Sequence, residues 1–398
     1  GGPGAVRNLQ CGCSNAGKDL YRQKGRYPVG HCQTVWGDTV SADCSQSPDQ
    51  KSQSDLSGTG AYDTAGIRSE ERMKVDLLIA DATGKKAYRP VVEEGITWST
   101  ERRGTPGKLT FKMLWDKKLK VSEGCAVCLK VDGKKIFYGF IFKQQRTKEQ
   151  LISVTAYDQL RYLKNKDTKV YEGKTAAQLV KELADDYRMN TGTLENTQYV
   201  IGSRVEENTS LFEMIENALD LTLTNTGQMF VLYDDYGKLT LKNLSSMYVR
   251  KKNKYLMIDD GAGEDFDYTS SIDDNTYNRV KLTYDNEDTG HRDVYIAQHG
   301  KNINKWGFLQ YYETLQKGEN GQAKADALLS LYNKKTRNLK INNVIGDNRV
   351  RAGSMLVVNL NLGDMKVKNF MLVEKCQHTY KNNEHFMNLT LRGGEFVA

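Results

Sequence analysis

The feature that most constrains this chain is a β-pattern that occurs twice. Glu123-Gly124-Cys-Ala-Val-Cys-Leu-Lys-Val131 is matched by Ala352-Gly353-Ser-Met-Leu-Val-Val-Asn-Leu360 near the other end. Each stretch runs into a glycine turn, at Gly133 and Gly363. Each then reaches a strand ending Phe140-Ile-Phe142 or Phe370-Met-Leu372. A polar hairpin turn follows, at residues 146–149 and 380–384. Both copies finish in an alternating strand that holds Val154-Thr155 or Leu389-Thr390. Alternation with period two puts one face of a strand on a core and leaves the other polar. The shared order of Gly, turn, Phe and Thr predicts a duplicated barrel-like β-domain.

The first copy belongs to an all-β stretch. Candidate strands cover residues 74–80, 88–93, 96–101, 108–114, 125–131, 136–142 and 151–157, with turn chemistry at Thr105-Pro106-Gly107 and Asp132-Gly133. Between the copies the pattern changes. Thr175 with Gln178, and Ser210 with Glu213, have the spacing of capping boxes, in which each side chain satisfies a free N–H at a helix start. Apolar residues at helical spacing follow both: Leu179, Val180, Leu183 and Tyr187, then Ile215, Ala218 and Leu219. A hairpin is expected at residues 229–242, turning at 234–237. A third helix is expected over 323–337. The predicted fold class is therefore mainly β with an α+β middle: a first β-barrel domain at 73–165, an α+β domain at 166–258, and a second β-barrel domain with one helix at 259–398.

Residues 1–72 do not share this patterning. They contain eight Leu, Ile or Val, no Phe, eleven Gly and three of the five prolines. So little apolar surface does not offset the entropy of ordering the chain. Two expectations fit. The segment is a disordered, cysteine-bearing extension, or it is mistranslated leader upstream of a natural start at Met73. The second is favoured. Four of the seven cysteines lie there (Cys11, Cys13, Cys32 and Cys44, near His31). Their spacing does not fit the paired patterns of zinc sites. An odd cysteine count in a chain of 398 residues argues against a disulfide framework.

Candidate chemistry is sparse. Neither a phosphate-binding glycine loop nor a G-x-S-x-G nucleophile elbow is present. His291, His299, His378 and His385 are dispersed, without the spacing of metal ligands, and are expected on the surface or in packing. Cys125 and Cys128 form a C-x-x-C in a strand, where the thiols point to opposite faces, so neither redox nor zinc chemistry is expected. The acidic run from Asp259 and Asp260 to Asp273 and Asp274, with Glu264, Asp265 and Asp267, is the best catalytic or calcium candidate. It lacks the regular calcium-loop spacing and reads as a solvated loop. No catalytic, cofactor-binding or metal residue is assigned, and no cofactor is expected. The net charge of +7 is thinly spread, with no basic run interleaved with aromatics, so sequence-specific nucleic-acid binding is not expected. No run of about 18–20 apolar residues is present, and no membrane anchor is expected.

Several motifs carry a resemblance. They are Val154-Thr-Ala-Tyr-Asp-Gln-Leu-Arg-Tyr-Leu163, Ala218-Leu-Asp-Leu-Thr222, Glu264-Asp-Phe-Asp-Tyr-Thr-Ser-Ser271, Trp306-Gly307 with Gln310-Tyr-Tyr312, Arg349-Val-Arg-Ala-Gly353, and Leu391-Arg-Gly-Gly-Glu-Phe396. Together they resemble the XkdQ/YqbQ family of tail-hub (baseplate hub) proteins of PBSX-like prophages, contractile-tailed phages and contractile bacteriocins. The resemblance runs from Met73 to the C-terminus. It implies a structural virion component and not an enzyme. It implies a homotrimer whose two tube-like β-barrels per chain make a pseudo-sixfold ring. Implied partners are the tail tube protein, the central spike protein and other baseplate proteins, including a LysM-type component. DNA would pass through the lumen without sequence-specific binding. Assembly in the bacterial host cytoplasm, into the tail baseplate of a phage or phage-like particle, is the implied location. Two readings compete: a tail-associated cell-wall hydrolase, dependent on Asp265, Asp267, His291 or His299, and a glycan-binding tail-tip protein.

Overall fold

In the strand Leu151–Tyr157, Ile152, Val154 and Ala156 are buried and the residues between them are half-buried. That alternation repeats along Lys108–Leu114, where Leu109, Phe111 and Met113 are buried. Strands of this kind pair into one sheet with an apolar and a polar face. The computed structural model describes residues 73–393 apart from 149, 252–253, 262–264, 274, 287–288, 316–318 and 362–365. The expectations for residues 1–72, Gly363, Glu264, Asp274 and the last five residues lie outside these.

Thirteen strands form one sheet. Its first half runs, in spatial order, Val92–Glu101, Lys108–Leu114, Leu151–Tyr157, Lys134–Arg146, Ala126–Val131, Val75–Ala80 and Ala87–Tyr88. Its second half runs Asp265–Ser271, Thr336–Ile345, Glu384–Gly393, Lys366–Lys381, Met355–Asn361 and Met257–Asp259. The two orders correspond strand for strand through the first six members. The correspondence reaches hydrogen bonds. Gly124 N–H donates to the Ile141 carbonyl (2.8 Å) and Ile141 N–H to the Cys125 carbonyl (2.9 Å). In the second half Gly353 donates to Val373 (2.8 Å) and Val373 to Ser354 (2.9 Å). Each half also has a bulge at the equivalent place, between Ile141 and Lys143 and between Val373 and Lys375. One strand departs from the repeat. Val75–Ala80 joins its neighbour antiparallel, Met257–Asp259 parallel.

The halves are joined directly. Residues 375–380 pair antiparallel with residues 96–101, from Lys375 opposite Glu101 to Tyr380 opposite Ile96. The seam joins the strands of both halves into one sheet, and among the described residues neither half closes into a barrel. Sequence could not show the seam because its two strands lie at opposite ends of the chain.

The middle of the chain packs helices α1 (Ala176–Asp186) and α2 (Leu211–Thr226) over short strands. Both capping boxes form: Thr175 and Gln178 exchange bonds of 3.3 and 2.8 Å, and Ser210 and Glu213 bonds of 3.2 and 2.9 Å. The expected hairpin forms between Phe230–Asp234 and Leu239–Asn243. A small unit is inserted in the second half between Asp265–Ser271 and Thr336–Ile345. It holds a three-stranded sheet with helices α3 (Gly300–Trp306) and α4 (Gly321–Tyr332). This corrects the expectation of one helix at 323–337. The last helix stops at Tyr332, because residues from Thr336 are drawn into the main sheet as a strand. Residues 88–93 and 96–101 were also expected as two strands. They resolve into Ala87–Tyr88 and one long strand, Val92–Glu101, that runs through Gly95 at φ +109°.

Candidate assembly interface

Paired residues in neighbouring strands share a face, so the register tells which side chains stand together. One row runs Asp267, Lys340, Thr390, Lys375, Glu101 across five strands. A second runs Thr379, Thr97, Thr110, Thr155, Lys143. The two rows together cross eight strands and both halves, and every member is polar or charged. The adjacent row on the other face reads Met387, His378, Trp98, Leu109, Ala156, Ile141, all buried. The sheet therefore has a broad hydrophilic wall backed by two apolar cores.

The seam is the best-tied part of this wall. Lys375 Nζ lies 2.9 Å from a Glu101 carboxylate oxygen. Arg102 Nε donates to Glu374 Oε2 at 2.8 Å, and its backbone N–H donates to the Glu374 carbonyl at 2.9 Å. Ala352 N–H donates to Thr100 Oγ1 at 2.9 Å. Beneath, Trp98 stacks on His378 with ring centres 4.9 Å apart.

His378 and His385 were read as dispersed, and the structure corrects this. The turn at Asn382 and Asn383 (φ +53° and +63°) folds the strand pair back and brings the two rings together. His378 Nε2 is 2.9 Å from the Val350 carbonyl, so it carries the proton. His378 Nδ1 then accepts from His385 Nε2 at 2.8 Å. In this arrangement His378 is neutral, since its Nδ1 accepts. Burial, with the second ring adding to it, holds His378 down to about 3. Burial holds His385 at about 4. The pair was legible only through the register that the Asn-Asn turn sets.

A second cluster joins the three parts of the chain. Asp158 accepts from Gly107 N–H (2.9 Å) and Leu160 N–H (3.1 Å). Arg351 donates to the Asp234 carbonyl (2.9 Å) and lies over the Tyr233 ring at 4.0 Å. Burial raises both carboxyls, Asp158 well above the usual range and Asp234 to about 6. Sequence reasoning did not single out any of these residues as a group. The signal available was Arg351 within an apolar strand approach.

The acidic candidates separate. Asp265 and Asp267 are exposed on the outermost strand of the sheet, and Asp260 accepts from Asn361 N–H at 2.8 Å. Among the described residues no three His, Cys, Asp or Glu come together as metal ligands. His291 is exposed, and His299 caps α3 by accepting from Asn302 N–H. Cys125 and Cys128 are both buried; Cys125 lies in the apolar core of the first half, and Cys128 on the other side touches Tyr236. No helix among the described residues is long and apolar enough to cross a membrane.

The architecture is that of a class of phage tail proteins. It is shared with the 43 kDa tail protein of prophage MuSo2 from Shewanella oneidensis, at TM-score 0.58 and 10% identity, over 79% of this chain and 98% of that one. The YQBQ-like family model matches residues 96–392, and the chain belongs to that family. It is 30% identical over 327 residues to YqbQ of Bacillus subtilis strain 168, covering 79% of this chain and 95% of that protein. It is 30% identical over 275 residues to the phage-like element PBSX protein XkdQ of the same organism, covering 68% and 81%.

Proposed function

We propose that this chain is a structural tail-hub protein of a phage or phage-like contractile particle. Three copies form a ring of six similar half-sheets, with the hydrophilic wall lining the lumen. The observation that carries this is the repeated strand order within one continuous, one-sided polar sheet. Two equivalent halves per chain let three chains present six units. That reconciles a sixfold tail tube on one side with a threefold spike on the other, in a closed assembly. In this reading the α+β middle and the small inserted unit stand outside the ring and meet other baseplate proteins, a LysM-type component among them. DNA passing through the lumen meets Thr, Lys and Glu side chains and no base-reading element. The barrels expected from sequence close only between copies.

Light scattering after size exclusion, with the full chain over a range of concentrations, tests the reading. A mass of three chains supports it. A strict monomer, or an assembly whose number is not a multiple of three, overturns the ring.

A further inference from the structure

The repeat leaves two unfilled places in the sheet. In the second half, residues 375–380 have a strand on both sides: Glu384–Gly393 and residues 96–101. Their equivalents after the first bulge are residues 143–146. These pair with Leu151–Tyr157 on one side and, among the described residues, with no strand on the other. The equivalent of Val92–Glu101 is Asp265–Ser271, whose only strand neighbour among the described residues is Thr336–Ile345. One half thus has a vacant berth, and the other has an outer strand of the type that fills it.

Resting on the ring reading above, we propose that Asp265–Ser271 of one copy adds to residues 143–146 of the next, in the register of the internal seam. The bulges and shared pairings fix that register. Lys143 is equivalent to Lys375 through Thr155 and Thr390. Thr269 is equivalent to Ser99 through Asn338 and Lys108. Gln377 opposite Ser99 therefore becomes Gln145 opposite Thr269 of the next copy. Lys143 faces Ser271, and Arg146 faces Tyr268, where the internal seam has His378 on Trp98. The two edges carry opposite charge, Lys143 and Arg146 on one and Asp265 and Asp267 on the other, which steers their encounter without placing an acid directly opposite a base. An exposed seven-residue edge strand without proline or lysine is also an edge open to strand addition. The contact is head-to-tail, so three repeats close it or it runs on.

The test uses the full chain with Cys11, Cys13, Cys32 and Cys44 replaced by serine. Cys125, Cys128 and Cys376 are buried and stay. Into this go Gln145→Cys and Thr269→Cys together, or Gln145→Cys with Ser271→Cys as an offset control. Directly opposed residues lie within the roughly 4.4–6.8 Å Cα range of a disulfide, and a two-residue offset lies at about 8 Å, beyond it. After mild oxidation, non-reducing gels and mass spectrometry of the linked peptides are read beside light scattering of the unoxidised protein. The expected result is a covalent ladder ending at three chains for the matched pair, lost in the offset pair. A ladder continuing past three supports the strand addition and overturns the trimeric ring. A trimer by light scattering without the matched link overturns the strand addition and leaves the ring. A monomer without links overturns both.

Discussion

The indole of Trp98 and the imidazole of His378 are stacked at 19° and 4.9 Å, although one belongs to the first half of the sheet and the other to the last hairpin. They face each other as a register pair in the seam, and both are buried. The two halves of the chain are therefore held by shared core as well as by backbone bonds. Trp98→Ala removes this core element and leaves a cavity, so the folded state should lose about 3–5 kcal/mol. Urea denaturation of the full chain, followed by circular dichroism, measures the loss. An unchanged midpoint would mean that the seam contributes nothing to stability.

The His378–His385 pair makes stability depend on pH. Both rings have folded-state values, about 3 and about 4, below the 6.5 of a free imidazole. Between those limits the unfolded chain binds more protons. Their contribution is therefore complete above about pH 6.5 and is lost as pH falls through about 4 to 3, on the order of a few kcal/mol. Asp158 and Asp234, raised by burial, act in the opposite sense. The readable quantity is thus the difference from His378→Phe, which keeps a ring against Trp98 but cannot titrate. The variant should lose less stability than the native chain between pH 6.5 and 4. Parallel curves would refute the neutral pair.

Gly124 and Gly353 are equivalent by position, and both have positive φ, +85° and +89°. Alanine is strained at either, by more than about 1 kcal/mol. Their surroundings differ. A Cβ on Gly124 meets open space, whereas one on Gly353 would stand 2.3 Å from Val231 Cγ1 in the middle hairpin. Gly353→Ala should therefore lower the thermal midpoint distinctly more than Gly124→Ala. Equal losses would show that the hairpin gives way without cost.

Arg351 is half-buried, with its guanidinium over the Tyr233 ring and close to the buried carboxyls of Asp158 and Asp234. Arg351→Met removes the donor to the Asp234 carbonyl and the positive charge nearest two buried carboxyls. Losing a hydrogen bond made by a charged group costs about 1.5–3 kcal/mol. Because the cluster joins first half, middle and second half, proteolysis should also release fragments sooner in the variant. A digestion pattern like that of the native chain would argue against its linking role.

Much of the local structure was legible in sequence. Thr175 with Gln178 and Ser210 with Glu213 marked the two helix starts, because a cap needs only residues within one turn. The matching Gly124 and Gly353, with their following strands, showed the repeat. The third helix was drawn too long because Thr336 onward is recruited by Asp265–Ser271 and Glu384–Gly393, an event outside any local window. The candidate acids read well as exposed residues. Their position on the open edge of a sheet was invisible until the strand order was known.

By itself, the sequence determined the period-two strands, the caps, the turns and the recurrence of one β-pattern at both ends, all of which are set by residues near one another along the chain. Only the tertiary structure decided that the two patterns join as one sheet, that His378 meets both Trp98 and His385, and that, among the described residues, 143–146 and Asp265–Ser271 lie at edges of that sheet. Strand pairing beyond hairpins depends on which backbone groups remain unbonded after the local pieces have formed, and side-chain pattern alone does not encode that choice.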